Sequence, residues 1–322
     1  MKRRILTLLA AAMLPLVFSI PLWAKGNGEK GNGESGSGKI KVTLITMDSI
    51  DEHWLKVKAG AQAKADELGN VDLTFNAPPG KVDAAVQLQM VEDAITKKSD
   101  IIMLAPLNKD ALSPGVEKAK KAGVKVIIID SAVSTPDYDA FFSTDNGAAA
   151  RTAADTLAGL IGGTGKVAIV NAQAGAGTTM TRENDFKDQI ATKYPNITIV
   201  GTQYSDGDKT KALNIALDFI TANPDLAGFY ACNEGSTVGV GNAVDQKGLA
   251  GKVKVVGFDW SADTKSLVER GILQATMVQN PYEMGYQGLQ AGVDAYAGKP
   301  ISPKDRDTGV TVATKDNAST IK

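Results

Sequence analysis

From Ile40 onward, short apolar runs alternate with segments of helical periodicity. Residues 41–47 predict a strand. Trp54, Val57, Ala61, Ala65 and Leu68 then recur at helix spacing, and Gly69-Asn70 ends that helix. A strand over 71–75 follows, then a helix carrying Val86, Met90 and Ile95. The runs 101–104 and 126–129 have the length and composition of strands buried on both faces, and 141–144 closes this half. The order then restarts with an Ala-rich helix over 146–160, capped by Asp145 or Asn146. A strand at 166–170, a helix containing 182–190, a strand at 197–200 and a helix containing 212–220 come next. Strands over 228–232, 253–258 and 274–278 lead to a last helix, from Pro281, which suits a first turn, to Tyr296. Strict alternation of this kind predicts an α/β fold with parallel sheets covered by helices on both faces.

One motif occurs in both halves. Val124-Lys-Val-Ile-Ile-Ile-Asp130 and Val253-Lys-Val-Val-Gly-Phe-Asp259 share Val-Lys-Val-x-x-x-Asp, each just after an Ala-Gly pair. Each reads as a buried strand that delivers a carboxylate at its carboxyl end, where ligands of open α/β sheets bind. The other strand ends read Met47-Asp48, Ala105-Pro106, Asn233-Glu234 and Gln279-Asn280. Taken singly, such residues are ordinary loop and helix-cap chemistry. Taken together on one edge of two sheets, they describe a cleft for a small polar ligand.

The length of 322 residues exceeds one ordinary core and suits two domains. With 43% apolar residues and a net charge of −1, the chain fits a soluble globular protein. That balance gives no electrostatic reason to expect nucleic acid. A single Cys, Cys232, excludes an internal disulfide, and one His with one Cys excludes the common zinc and copper sites while leaving an all-oxygen calcium site open. No cofactor is indicated. At the amino terminus, Lys2-Arg3-Arg4 precede an apolar run over 5–20 and then Leu22-Trp23-Ala24. This order is that of a signal peptide over 1–24 cleaved after Ala24, with an uncleaved membrane anchor as the alternative. Residues 25–38 repeat Lys-Gly-Asn-Gly-Glu without an apolar side chain, the composition of a flexible linker.

Enzyme templates fit poorly. Residues 159–166 resemble a phosphate loop only superficially, because Val167 stands where Ser or Thr is required and the segment precedes a strand. Gly175-Ala-Gly-Thr-Thr179 lies between a strand and a helix but lacks the dinucleotide fingerprint, and no Gly-x-Ser-x-Gly elbow is present. Asp130 and Asp259 acting on a glycoside, as acid and nucleophile, is the enzymatic alternative. Binding chemistry fits better. Carboxylates accept hydroxyl protons, Arg donates in a planar fork, Asn and Gln do both, and aromatic faces cover C–H groups. His53, Trp54, Asp130, Arg182, Asn233, Phe258, Asp259, Trp260 and Gln279 supply this set. Each has a plainer reading: Trp54 falls on an apolar stripe, Arg182 can pair with a nearby carboxylate, and Trp260 can pack at a rim.

At these residues the chain resembles the ribose- and galactose-type periplasmic solute-binding proteins of ABC transporters, relatives of the lactose-repressor ligand domain. The likeness runs from about Lys39 to Lys322. It is carried by Lys58-Ala-Gly-Ala61, the run to Asp130, Ser143-Thr-Asp-Asn146 and Thr181-Arg182 four residues before Phe186. Tyr230-Ala-Cys-Asn-Glu234, Val255-Val-Gly-Phe-Asp259 and Ala275-Thr-Met-Val-Gln279 complete it. The resemblance implies two Rossmann-like lobes with parallel sheets, joined by three hinge crossovers near Thr144, Gln279 and Thr308, the type I periplasmic binding protein architecture. One lobe would comprise 39–144 with 280–308, the other 145–279 with 309–322.

By matching position, Asp130, Arg182, Asn233, Asp259 and Gln279 are the expected polar ligand contacts. Phe258 and the pair His53-Trp54 are the expected aromatic walls, and Asp51 an additional polar contact. The implied function is an extracytoplasmic monomer, periplasmic or extracellular, that binds a small sugar or polyol and delivers it to a membrane ABC permease without catalysis. A chemotaxis or sensor-kinase input receptor of the same fold is a further alternative. Ribose-type members follow the first of the paired Asp residues with Arg, where Ser131 stands here. They carry Asn at the position of Ala105, a small polar residue at Met47, an aromatic at Gly207 and a Phe pair at His53-Trp54. These departures argue against ribose itself.

Overall fold

The structure, a computed structural model, describes residues 38–79 and 83–321. The signal segment and all but the last residue of the linker lie outside the described residues. Two six-stranded sheets organise the rest. The first contains β1 (Ile40–Ile45), β2 (Val71–Asn76), β3 (Ile101–Leu104), β4 (Lys125–Ile129), β5 (Ala140–Ser143) and, far along the chain, β11 (Asp305–Asp307). The second contains β6 (Gly165–Asn171), β7 (Ile197–Tyr204), β8 (Leu226–Ala231), β9 (Lys254–Phe258), β10 (Ala275–Gln279) and β12 (Val310–Thr314). Their orders, β2-β1-β3-β4-β5-β11 and β7-β6-β8-β9-β10-β12, are the same arrangement twice. The twin-motif strands β4 and β9 therefore occupy equivalent places.

Each sheet is buried on both faces because its strands alternate. Ile127 and Ile129 point into a core under α1 (Glu52–Leu68) and α9 (Pro281–Tyr296). Val126 and Ile128 point into the opposite core, under α2 (Ala84–Thr96) and α3 (Lys109–Lys121). In the second sheet Val256 and Phe258 face α4 (Asn146–Leu160) and α5 (Gly177–Lys193), while Val255 faces α6 (Lys209–Ala222), α7 (Glu234–Gln246) and α8 (Ala262–Glu269). The motifs differ at their fifth position, where Ile128 is matched by Gly257. A Cβ there would lie 2.4 Å from the Thr237 methyl, so glycine lets α7 approach. The Thr237 hydroxyl then bonds the Phe258 backbone at both N–H and C=O.

The chain passes between sheets three times: from β5 into α4, from β10 into α9, and from β11 to β12. The parallel rule has one exception, because β12 runs antiparallel to β10. A strand that crosses directly from the other sheet arrives without a crossover helix and has no need of the parallel direction. The periodicity reading places no helix between 104 and 126 or between 232 and 274, and no strand after Tyr296; the structure has α3, α7, α8, β11 and β12 there. In α3 the buried Leu112, Val116 and Ala119 are at helical spacing but are broken by Pro114 and Gly115. A side chain at 115 would press on Leu88 of α2, 2.7 Å away, which explains the glycine. The helix boundary signals hold where they were read: Gly69 ends α1 in the left-handed region, and Asp145 accepts the Ala148 N–H at the start of α4.

Candidate functional site

The motif residues Asp130 and Asp259 both leave their strands with positive φ, 62° and 76°. Asp is among the few side chains that tolerate this region. Each also donates its N–H to the carbonyl of the neighbouring strand, Asp130 to Phe142 at 2.7 Å and Asp259 to Met277 at 2.9 Å. The same turn thus projects a carboxylate from each sheet into one cavity, which encloses about 660 Å³ of space, part of it open to solvent.

His53, on the first turn of α1, stands between the two carboxylates. Its Nε2 is 3.0 Å from Asp130 Oδ1, and its Nδ1 is 3.6 Å from Asp259 Oδ1. The first is a hydrogen bond; the second exceeds hydrogen-bond length and acts as an ion pair. Burial alone would lower the imidazole pKa, but the bond to Asp130 and the contact and charge of Asp259 outweigh it and raise His53 to about 10. Conversely, burial alone would raise Asp259; His53, the Arg182 charge and the Gln279 amide instead lower it to about 2. Asp259 also accepts from Gln279 Nε2 at 2.6 Å and from the Glu234 N–H at 2.8 Å. At neutral pH the centre is an imidazolium flanked by two carboxylates, one from each sheet.

Arg182 of α5 is 2% exposed, and its hydrogen bonds go to an amide and a carbonyl, not to a neighbouring carboxylate among the described residues. Its Nε donates to Asn146 Oδ1 at 2.7 Å and its Nη1 to the Cys232 carbonyl at 2.8 Å, while the guanidinium carbon lies 4.0 Å over the Phe258 ring. Phe258 itself is fully buried and off the cavity surface, so the expected aromatic wall is instead a platform beneath Arg182. The reason is strand alternation: with Asp259 turned into the cleft, Phe258 points into the core under α4. Trp54 is both core and wall, set edge-on to His53 with ring centroids 4.6 Å apart. Asn233 lines the cavity and caps α7 by accepting the Ser236 N–H. Asp51, at the start of α1, also lines it, and the turn before it is folded by Asp48, which accepts the Ile50 and Asp51 N–H groups. Trp260 packs in a core beside a second, smaller cleft, its carbonyl accepting from Lys56.

Several lining residues were not singled out from sequence. Thr178 donates its hydroxyl to the Asp130 carbonyl at 2.7 Å, and its N–H to Ser131 Oγ at 3.3 Å, which fastens α5 to the first sheet. Ser131 thereby has a structural task of its own. Glu234 follows Asn233 at a strand end, a visible signal, yet its role depends on distant neighbours. Burial first, then the charges of Asp51 and Asp259, raise its pKa to about 7 despite Lys209 and His53. Among the described residues, four buried polar atoms of lining side chains have no hydrogen-bond partner: Arg182 Nη2, Gln279 Oε1, Glu234 Oε2 and Thr179 Oγ1. Donors and acceptors from several elements converge on one space. Native interiors seldom leave such groups unpaired.

Residues 42–300 match the family of the periplasmic binding protein domain. Among characterised proteins, the D-allose-binding periplasmic protein of Escherichia coli is 32% identical over 261 residues, 79% of this chain and 83% of that protein. The ribose import binding protein of Salmonella typhimurium is 29% identical over 266 residues, 83% of this chain and 88% of that protein. Among solved structures, an ABC transporter solute binding protein from Agrobacterium vitis with bound D-fucose is 38% identical with a TM-score of 0.84, covering 86% of this chain and 96% of that one. A carbohydrate transporter solute binding protein from Agrobacterium radiobacter in complex with D-arabinose is 35% identical with a TM-score of 0.85, covering 87% and 96%.

Proposed function

The chain belongs to the periplasmic binding protein domain family, and from that premise we propose that it captures a small sugar or polyol between its lobes and delivers it to a membrane ABC permease. The observation that carries this reading is the set of unpartnered polar atoms on the cavity. Arg182 Nη2 offers hydrogens, Gln279 Oε1 and Glu234 Oε2 offer lone pairs, and Thr179 Oγ1 can do either. A polyhydroxylated molecule satisfies all of them at once, while Trp54 and Met47 supply apolar surface for its carbons. Asp51, His53, Asp130, Arg182, Asn233, Asp259 and Gln279 form the contact set, with Phe258 holding Arg182 from behind.

In this reading 39–144 with 280–308 and 145–279 with 309–322 move as two bodies about the three crossings, and the ligand holds them closed. Segment 1–24 exports the protein to the periplasm, and the working form is a monomer. Ligand leaves unchanged. An enzymatic use of the twin carboxylates is disfavoured by their environment, because the buried imidazole of His53 stands between them, 3.0 Å from Asp130 and 3.6 Å from Asp259, where a scissile bond would have to lie. The test is twofold. Native mass spectrometry of the purified protein identifies a ligand carried through purification, and a panel including D-fucose, D-arabinose, D-allose, D-ribose and polyols is screened by thermal shift. At ~100 times its dissociation constant, a true ligand stabilises the fold by ~2.7 kcal/mol. No shift with any sugar or polyol sinks the sugar reading; a chemically altered product after incubation sinks the non-catalytic one.

A further inference from the structure

We propose that Glu234 is a specificity-determining residue of the cavity, accepting a hydroxyl hydrogen from the bound sugar in its ionised form, so that capture releases a proton and weakens in acid. The proposal rests on the sugar-binding reading above. Glu234 opens α7 and is 2% exposed, yet it lines the cavity and its Oε2 has no hydrogen-bond partner among the described residues. Its Oε1 lies 3.5 Å from Lys209 Nζ of α6, an ammonium already donating to Asp263 of α8 at 2.7 Å. Asp51 before α1, Asp259 after β9 and His53 of α1 also act on it through charge, and Asp48, Asp130, Arg182 and Asp206 line the same cavity. One oxygen thus meets a shared cation, and the other is buried without a hydrogen-bond partner among the described residues, on a side chain that lines the cavity. A sugar hydroxyl donates to that oxygen without bringing charge into a site already crowded with carboxylates.

Ionisation gives the proposal a readout. His53 is raised to about 10 and Asp259 lowered to about 2, so both stay charged between pH 5 and 8. Glu234, raised to about 7, titrates within that window. A hydroxyl donating to the carboxylate favours the charged form, so binding lowers this pKa and affinity rises with pH. If only the ionised form binds, a midpoint of about 7 makes the affinity at pH 5 roughly 90-fold weaker than at pH 8, with about half a proton released at pH 7.

The experiment is isothermal titration of D-fucose, D-arabinose and D-allose into the full protein from pH 5 to 8, in two buffers of different ionisation enthalpy, beside Glu234→Gln. The wild type is expected to lose tens-fold in affinity toward pH 5 and to release a proton. Glu234→Gln keeps an acceptor oxygen but does not titrate, and is expected to bind with a flat pH profile. Equal slopes in the two proteins, or a flat wild-type profile, overturn the role of Glu234 while leaving sugar binding intact. Binding of no sugar or polyol of the wider panel at any pH overturns the sugar reading and this proposal with it.

Discussion

Replacing His53 with Leu removes the cation between two buried carboxylates and leaves a side chain with no donor. The cost follows from the ionisation of the imidazole. Its pKa rises from 6.5 in the unfolded chain to about 10 in the fold. At pH 7 that difference corresponds to about 4 kcal/mol of stability. Asp259 keeps its bonds from Gln279 and the Glu234 N–H, so a loss of about 3–4 kcal/mol is expected, within the range for breaking a buried ion pair.

The sign is specific. A group whose pKa is raised by folding contributes fully below its unfolded value, here 6.5, and loses that contribution as pH rises through about 10. Urea unfolding followed by Trp fluorescence measures it. With an m-value of ~3 kcal/mol/M, the variant midpoint falls by about 1 M at pH 7. The gap to wild type narrows steadily above pH 7 and nearly closes by pH 10 to 11; other alkaline titrations cancel in the difference. Equal midpoints at pH 7, or a gap that does not shrink with alkali, would refute the bridging imidazolium.

Asp259→Asn is expected to abolish the ligand-induced rise in melting temperature, about 5–10 °C for wild type at saturating sugar, while remaining folded by circular dichroism; a retained shift removes Asp259 from the contact set. Phe258→Leu takes away the ring beneath Arg182 and should weaken sugar binding 3- to 10-fold by calorimetry, the scale of a cation–π contact of ~0.5–2 kcal/mol. Unchanged affinity would mean that Arg182 is held by Asn146 and Cys232 alone. Gly60→Ala should cost about 2–3 kcal/mol in urea unfolding, because its Cβ would sit 2.0 Å from the Tyr282 carbonyl oxygen and push α9 off α1. An undiminished midpoint would show that the two helices can part freely.

Much of the site was legible before the structure because its residues stand at strand ends, and a strand announces its end by a polar residue after an apolar run. Asp130, Asn233, Asp259 and Gln279 stand at such ends, and all line the cavity. Phe258 lies off the cavity because adjacent strand residues point to opposite sides and Asp259 takes the cleft side. Helices α3 and α7 were missed because their signals are faint locally. Pro114 and Gly115 break the periodicity of α3, and α7 is Gly-rich, as its close approach to the Gly207 carbonyl and to α6 requires.

The chain by itself determined the alternation of elements, the doubling of the sheet and the paired carboxylates, since these follow from periodicity and from patterns within a few residues. Tertiary structure alone decided what the carboxylates do. His53 lies 77 residues from Asp130 and further still from Asp259, and only folding brings the imidazole to 3.0 and 3.6 Å from them. Glu234 likewise owes its near-neutral titration to burial beside Asp51 and Asp259, from two different segments. Charge interactions depend on distance through space and on exclusion of water, and neither quantity is written in sequence separation.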